Sequence, residues 1–377
     1  MALANCRVLV TGANGFIGKN LLVRLSELDG VKVSTFGRSD DIACLPSLVG
    51  DVDAVVHLAG ENRPSDEAAF EQVNTGLTIA LCDAIQQKFK ITGRHVPMAL
   101  TSSIQAERDN PYGRSKLAAE QAMYALSQAT GNPCLVFRLP GVFGKWCKPN
   151  YNSVVATFCH HLARDLPIQI NDHSGDVRLV YVDDVITALL SALDSPTPGW
   201  IKVAVEPEYT IQVTELAEQI RAFADCRTTL LSERVGAGLV RALYATYVSY
   251  LPSEKFSYKV QQHIDPRGVF VEMLKTHDSG QLSYFTANPG ITRGGHYHHS
   301  KTEKFLVIRG EALFRFRHLL TDELVELRTS GTVPQVVDTI PGWAHDITNV
   351  GDGEMVVMLW ANENFDRQNP DTMASKV

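Results

Sequence analysis

The sequence contains no run long and apolar enough to span a bilayer, and its first residues enter a hydrophobic run without a basic leader. A cytoplasmic chain with no membrane partner is therefore expected. An excess of positive charge is also missing. Lys and Arg number 35 against 42 Asp and Glu, a net charge of −7, which argues against a nucleic-acid partner. A phosphorylated small molecule is not excluded, because local arginines and backbone amides can hold one. The seven cysteines are odd in number, form no CxxC pair and stop at Cys226. Free thiols in a reducing compartment are the expectation. Any metal held in the C-terminal third must then use His and carboxylate ligands. Internal repeats and low-complexity tracts are lacking too.

What is present divides in two. A length of 377 residues exceeds the size at which one hydrophobic core stops growing, so two domains are expected. From Arg7 to about Leu193, short Val- and Leu-rich runs such as RVLVTG, AVVHLAG, VPMALTSS and CLVFRLPG alternate with amphipathic stretches such as KLAAEQAMYALSQ. That alternation implies an α/β domain with a parallel sheet covered on both faces. Ile211 to Tyr250 reads as largely helical. LPSEKFSY then marks a boundary, giving domains 1–250 and 251–377. Beyond it, short runs separated by Gly and Pro (GVFVEML, GQLSYFTA, EKFLVIRGEALFRF, EMVVMLW) read as an antiparallel barrel or sandwich. The residues from Asn364 onward read as a frayed tail. Seven of the twelve histidines lie at or after His263.

The first run leads into Gly12-Ala13-Asn14-Gly15-Phe16-Ile17-Gly18. Glycines at this spacing permit a tight turn and a close approach of backbone to a pyrophosphate at a helix N-terminus. The spacing resembles that of the extended, nucleotide-sugar-acting branch of the short-chain dehydrogenase/reductase superfamily. More of that pattern follows in order. Asp51 to Gly60, including Leu58 and Ala59, resembles the strand that ends beside the cofactor's adenosine side. Asn74 falls in a segment resembling the helix that supports the active site. Thr101-Ser102-Ser103 closes a strand, and Tyr112-Gly113-Arg114-Ser115-Lys116 gives YxxxK. Arg138–Gly144 and Arg178–Val185 resemble the later RxxxVxG and RxxYVDDV signatures. The resemblance implies a doubly wound Rossmann-type sheet and a nicotinamide cofactor.

Tyr and Lys four apart share one face of a helix. A phenol can supply the proton for a developing alkoxide if its pKa is lowered, and an adjacent ammonium favours the phenolate. Those roles are assigned to Tyr112 and Lys116. Ser103 aligns with the family's carbonyl-polarising hydroxyl, with Ser102 in reserve. One departure is a short segment: eight residues separate Ser103 from Tyr112, where the family has a much longer loop. On the second strand, Arg38 occupies the region that selects the cofactor, which suits a 2′-phosphate and hence NADPH. Asp40 or Asp41 binding the ribose of NAD is the other reading. Lys145, Asn152 and Arg178 occupy regions that the resemblance assigns to the nucleotide diphosphate, and a surface role is equally open. His160 and His161 read as packing or surface residues.

In the C-terminal part, His296, His298 and Glu303 followed by Gly310 match HxHx4Ex6G, and Pro341, Gly342, His345 and Asn349 match PxGxxHx3N. These two motifs resemble those of the cupins and imply a jelly-roll. Three His and one Glu converging inside a barrel suit a divalent ion, read as zinc. A second resemblance, to nucleotide-sugar 3,5-epimerases, lies in Asp265-Pro266-Arg267-Gly268-Val269-Phe270-Val271-Glu272 and in Arg293-Gly294-Gly295-His296. It implies nucleotide contacts by Arg267 and Glu272, and it leaves His296 as either ligand or base. Over the whole chain the order of domains resembles the bifunctional capsular polysaccharide enzymes of the UDP-N-acetyl-L-fucosamine pathway. That resemblance implies a homodimer acting on a UDP-sugar: C3 epimerisation of UDP-2-acetamido-2,6-dideoxy-β-L-arabino-hexos-4-ulose, then C4 reduction with NADPH to UDP-N-acetyl-6-deoxy-L-talosamine. A cupin iron oxygenase fused to a reductase, a reductase whose cupin only binds or dimerises, and a redox sensor that binds NADP are the alternatives.

Overall fold

The computed structural model describes residues 5–63, 66–170 and 175–377. The chain divides into two compact units, Met1–Ala217 with Ala245–Tyr250, and Glu218–Tyr244 with Leu251–Val377. No helix among the described residues is long and apolar enough to cross a membrane.

The first unit alternates β1 (Arg7–Thr11), α1 (Phe16–Ser26), β2 (Lys32–Phe36), α2 (Leu45–Gly50), β3 (Ala54–His57), α3 (Leu77–Thr92), β4 (Met98–Ser103), α4 (Pro111–Thr130) and β5 (Cys134–Leu139). After these come β6 (Gly141–Phe143), α5 (Val154–Leu162), β7 (Asp176–Tyr181), α6 (Val182–Asp194), β8 (Trp200–Lys202) and β9 (Glu208–Gln212). The main sheet is parallel throughout, in the order β2-β1-β3-β4-β5-β8. Successive residues of a strand face opposite sides. Thus Val8 and Val10 enter a core with α1 and α6, while Leu9 enters a second core with α2, α3 and α4. Both faces are covered, which is the doubly wound arrangement expected. A small sheet, β6-β7-β9, lies apart from it.

Helix α4 carries the YxxxK pair. Asn110 caps its first turn by accepting from Gly113 N at 2.8 Å, Pro111 opens it, and Gly131 ends it with φ +72°. Its buried stripe runs Lys116, Ala119, Glu120, Met123, Leu126. Two ionisable side chains on a core-facing stripe are costly to bury unless they are partnered.

The segment expected to be helical up to Tyr250 is interrupted. It forms α7 (Val213–Thr229), β10 (Leu231–Ser232) and α8 (Gly238–Ser249). The break has a tertiary cause, since β10 pairs with a strand some forty residues later. The second unit is otherwise all β: β11 (Gln262–Asp265), β12 (Gly268–Thr276), β13 (Gln281–Ala287), β14 (Thr292–Tyr297), β15 (Glu303–Arg309), β16 (Glu311–His318), β17 (Leu324–Ser330), β18 (Val336–Asp338), β19 (Trp343–Asn349), β20 (Met355–Ala361) and β21 (Met373–Ala374). One sheet runs β10-β12-β13-β20-β15-β18, with β11 on β12, and the other runs β17-β16-β19-β14-β21. Phe285, Phe305, Val307 and Val357 of the first share a core with Phe314, Phe316 and Ile347 of the second. A two-sheet all-β domain was expected. The tail was not: β21 pairs with β14, Ala374 opposite His296 and Met373 opposite Tyr297.

Candidate active site and candidate metal centre

The glycine turn is a close-packed cradle. Gly12 has φ +69°, and a Cβ there would lie 2.6 Å from Ala59 N. A Cβ on Gly18 would lie 2.3 Å from the Gly12 carbonyl oxygen. Helix α1 begins after Gly15 without a side-chain cap and without an acidic residue in its first turn. Its first amides and the positive end of its dipole are therefore left for an anion. Asn14, Phe16 and Ile17 lie in this turn, and Leu58 and Ala59 follow β3 alongside it. The cradle fits a dinucleotide.

A chain of hydrogen bonds holds that edge. Ala59 N–H donates to Thr11 Oγ1 at 3.2 Å, and Thr11 Oγ1 meets His57 Nδ1 at 2.6 Å. His57 Nε2 meets Thr78 Oγ1 at 2.9 Å, and Thr78 donates on to the Asn74 carbonyl at 2.7 Å. The directions are self-consistent with a neutral imidazole protonated on Nε2. Burial, with the charge of Lys116 second, pushes the His57 pKa down to about 3. Asn74, on a stretch of π-type turns over Phe70–Gly76, accepts from Glu61 N at 2.8 Å and donates to Ser115 Oγ at 3.0 Å.

At the end of β4 the two serines part company, as the pleat requires. Ser102 donates to the buried Glu120 at 2.6 Å, and Glu120 is held by Arg138 through Nε at 2.9 Å and Nη2 at 2.7 Å. Ser103 instead lies beside Tyr112 and helps to lower its pKa. The structure thus brings Ser103, not Ser102, to the tyrosine. Tyr112 also packs against Phe70, ring centroids 5.7 Å apart. Burial pushes the Tyr112 pKa up, and Ser103 pulls it partly back. That differs from the expected effect of Lys116 on the phenol. Lys116 Nζ donates to the Thr101 carbonyl at 3.0 Å, and burial lowers its pKa to about 8 against a raising pull from Glu120. It also sits against Gly60, where a Cβ would lie 3.2 Å from Nζ. Glu120 had a signal in the sequence, namely its spacing of four from Lys116.

Arg38 forms an ion pair with Glu61, and its side chain remains 88% exposed. Asp40 accepts from Gly37 N at 2.7 Å, folded back onto its own turn. The three proposed diphosphate contacts are not joined to one another by any hydrogen bond or ion pair among the described residues. Lys145 pairs with Asp183 at 2.6 Å, Arg178 pairs with Glu208, and Asn152 is exposed in the loop before α5.

In the second unit His296, His298, Glu303 and His345 offer ligand atoms that all lie within 4.8 Å of one another. Strand register explains the meeting: His296 of β14 lies opposite His345 of β19, and Glu303 opens β15. His298 Nε2 lies 3.2 Å from Glu303 Oε2, and Lys301 Nζ lies 3.0 Å from Glu303 Oε1. His298 Nδ1 faces the Asp371 carbonyl, which can only accept, so the Nδ1 proton is fixed there. Nε2 of a neutral His298 then turns a lone pair towards the carboxylate. Two lone pairs at that distance repel unless a proton or a cation lies between them. His345 Nε2 is buried without a hydrogen-bond partner, 3.6 Å from Glu303 Oε2. Burial pushes His296 down to about 4, with His345 adding to it. For Glu303, burial alone would raise the carboxyl, but the adjacent His298 and His345 side chains and the Lys301 ammonium outweigh it and hold it well below the carboxylate range. Three imidazoles, an ionised carboxylate and an orphaned nitrogen are a donor set that fits a divalent cation.

The cluster opens into a cavity of about 160 Å³ lined by Phe270, Phe285, Phe305, Phe314, Arg267 and Arg293. Arg267 pairs with Asp265 at 2.6 Å. Glu272 pairs with Lys275 at 3.0 Å and is not among the residues lining the cavity. Arg293 donates to the Thr286 carbonyl at 3.0 Å and lies 5.1 Å over Phe285, while its Nη2 is buried without a partner. The sequence reading marked Arg293 only as part of a motif, not as a contact.

Residues 8–204 match the model of the NAD dependent epimerase/dehydratase family, and residues 263–373 match the polysaccharide biosynthesis C-terminal domain. The chain belongs to that epimerase/dehydratase family and carries that C-terminal domain. It is 56% identical, over 98% of its own length and 99% of the relative's, to a UDP-2-acetamido-2,6-beta-L-arabino-hexul-4-ose reductase of Pseudomonas aeruginosa. It also matches the crystal structure of the capsular polysaccharide assembling protein CapF from Staphylococcus aureus, with a TM-score of 0.88 and 39% identity, covering 98% of this chain and all of that one. An enzyme of Bordetella bronchiseptica, WbmF, crystallised with NAD+ and UDP, shares the fold over 66% of this chain and 92% of its own, with a TM-score of 0.54 and 20% identity.

Proposed function

We propose that this chain is a bifunctional enzyme of capsule polysaccharide biosynthesis: a 3-epimerase and an NADPH-dependent 4-keto reductase of UDP-2-acetamido-2,6-dideoxy-β-L-arabino-hexos-4-ulose. The observation that carries the reductase reading is the buried Lys116, one helical turn from Tyr112 and bonded to the Thr101 carbonyl, at the rim of a glycine cradle. The relative that shares 56% of its residues and nearly its whole length supports the substrate. When bound, the nicotinamide supplies the hydride for C4, and a divalent cation, zinc by the donor set, supplies positive charge at the keto oxygen of the epimerase site.

The chain's own groups do the rest. Gly12, Gly15, Gly18 and the first amides of α1 would hold the pyrophosphate, and Arg38, now paired with Glu61, would be the cation for a 2′-phosphate. Ser103 orients the C4 carbonyl oxygen. Tyr112 keeps its proton, because burial raises its pKa, and delivers it as the alkoxide forms. Lys116 fixes the Thr101 carbonyl at 3.0 Å and supplies a positive charge that fades as pH rises through about 8. In the second unit His296, His298, Glu303 and His345 would hold the cation. The keto group acidifies the adjacent C3 proton, so its loss to a base, followed by return of a proton to the opposite face, inverts the centre. Arg267 and Arg293 offer guanidinium donors to the substrate's anionic portion.

The test is product analysis with a panel of 4-keto nucleotide sugars and NADPH. The expected outcome is consumption of the 2-acetamido-2,6-dideoxy-4-ulose, with the product inverted at C3 and reduced at C4. A product reduced at C4 but with C3 unchanged would reduce the second unit to a binding module.

A further inference from the structure

We infer that Asp371 is a positioning residue of the metal centre, and that the chain's C-terminal segment is built into that centre rather than appended to it. The inference rests on the proposed centre and concerns how its ligands are held. His298 stands just outside β14 and Glu303 opens β15, so the four residues between them decide whether the two ligands meet. Nothing in those four residues is strand. Instead, one carboxylate collects three of their four amides: Asp371 Oδ1 accepts from His299 N at 2.8 Å, and Oδ2 accepts from Ser300 N at 2.7 Å and Lys301 N at 2.8 Å. Ser300 Oγ adds a fourth bond at 3.0 Å.

The same residue acts on the ligand itself. The Asp371 carbonyl accepts from His298 Nδ1, which fixes the imidazole's tautomer and leaves Nε2 to face Glu303. A backbone carbonyl behind a ligating imidazole orients the ring and raises its basicity. The following residues continue the attachment along the ligand-bearing strand. Met373 and Ala374 pair with Tyr297 and His296, and Ser375 N donates to the Gly295 carbonyl at 2.9 Å. Further out, Arg317 holds Ser375 Oγ at 2.9 Å and the Lys376 carbonyl at 2.9 Å, away from the ligands.

Co2+ titration of the metal-free full-length protein, read by the visible absorption of the bound ion, tests this directly. Three variants are compared with the unmodified protein: Asp371→Ala, Asp371→Asn and Arg317→Ala. Asp371→Ala is expected to weaken Co2+ binding roughly 10–100-fold, the usual cost of losing an outer-shell partner. Asp371→Asn keeps the side chain's size but sets an amide N–H against the clustered donors, so a smaller loss in the same direction is expected. It also serves as the informative variant if Asp371→Ala fails to fold. Arg317→Ala loosens the end of the tail without touching Asp371 and is expected to leave the affinity unchanged. Equal Co2+ affinity in the Asp371 variants and the unmodified protein would overturn the inference. An equal loss in Arg317→Ala would overturn the assignment to Asp371, because attachment of the tail in general would then be what matters. Failure of the unmodified protein to bind Co2+ would overturn the proposed centre itself, and Asp371 with it.

Discussion

The two candidate sites differ in whether the protein alone satisfies them. In the first unit Lys116 has the Thr101 carbonyl, Asn74 has Glu61 and Ser115, and His57 is bonded at both nitrogens. In the second, three imidazoles and one carboxylate crowd together, and His345 Nε2 has no partner. A satisfied site keeps its geometry before any ligand arrives. An unsatisfied one needs the missing charge to be complete, because unpaired buried polar groups are costly. The first site is therefore held in place by its own hydrogen bonds, and the second is one that a divalent cation would complete.

The comparison can be broken most forcefully at Tyr112. Tyr112→Phe removes the proton donor and little volume, so NADPH oxidation by the 4-keto sugar is expected to fall by about 10²–10⁴-fold, with unchanged circular dichroism. Near-normal turnover would take Tyr112 out of the mechanism.

Lys116 tests the cost of preorganisation. Its folded pKa lies near 8, below the ordinary 10.5, so burial opposes its charge. At neutral pH the ammonium is charged in both states, and the folded state bears a cost on the order of 3 kcal/mol. That cost fades as pH rises from about 8 to the ordinary lysine range, because the unfolded chain binds more protons there. Lys116→Met is thus expected to lower activity yet raise Tm at pH 7, by roughly 2–4 °C per kcal/mol recovered in a chain of this size. The advantage should vanish near pH 10. A lower Tm at pH 7 would show that the bond to Thr101 outweighs the burial.

The smallest effect is expected at Arg38. Its side chain is exposed and already paired with Glu61, so a 2′-phosphate must compete for it. Arg38→Asp should shift the NADPH-to-NADH ratio of kcat/KM by about 10–100-fold, the worth of one charge-assisted hydrogen bond. Equal use of both cofactors by the unmodified protein would remove Arg38 from cofactor choice.

Much of this was legible in the sequence because it is local. The unbroken apolar run in RVLVT gives a strand with two buried faces, the glycine spacing gives the cradle, and YxxxK gives one helix face. His296, His298, Glu303 and His345 were legible because strand parity and two spaced motifs fix which side chains turn inward. What could not be read depends on partners distant in the chain. Ser102 and Ser103 are indistinguishable until Glu120 and Arg138 claim the first. The helix expected through Leu231 gives way because β10 finds β12. The polar segment after Asn364 has no periodicity to betray it, yet Asp371 orders it through amides some seventy residues earlier. Arg293 looked like part of a motif, and only the fold shows its Nη2 buried at the cavity without a partner.

The most direct test of two separate chemistries is hydrogen exchange at C3 of the 4-keto substrate in deuterium oxide, without NADPH. The account predicts exchange with the unmodified protein and with Tyr112→Phe, and none with His298→Ala or after chelation, with Zn2+ restoring the chelated protein. Loss of exchange in Tyr112→Phe would place both steps in the first unit. Exchange that survives chelation and His298→Ala would contradict the proposed role of the cluster and leave His296 to act as a base.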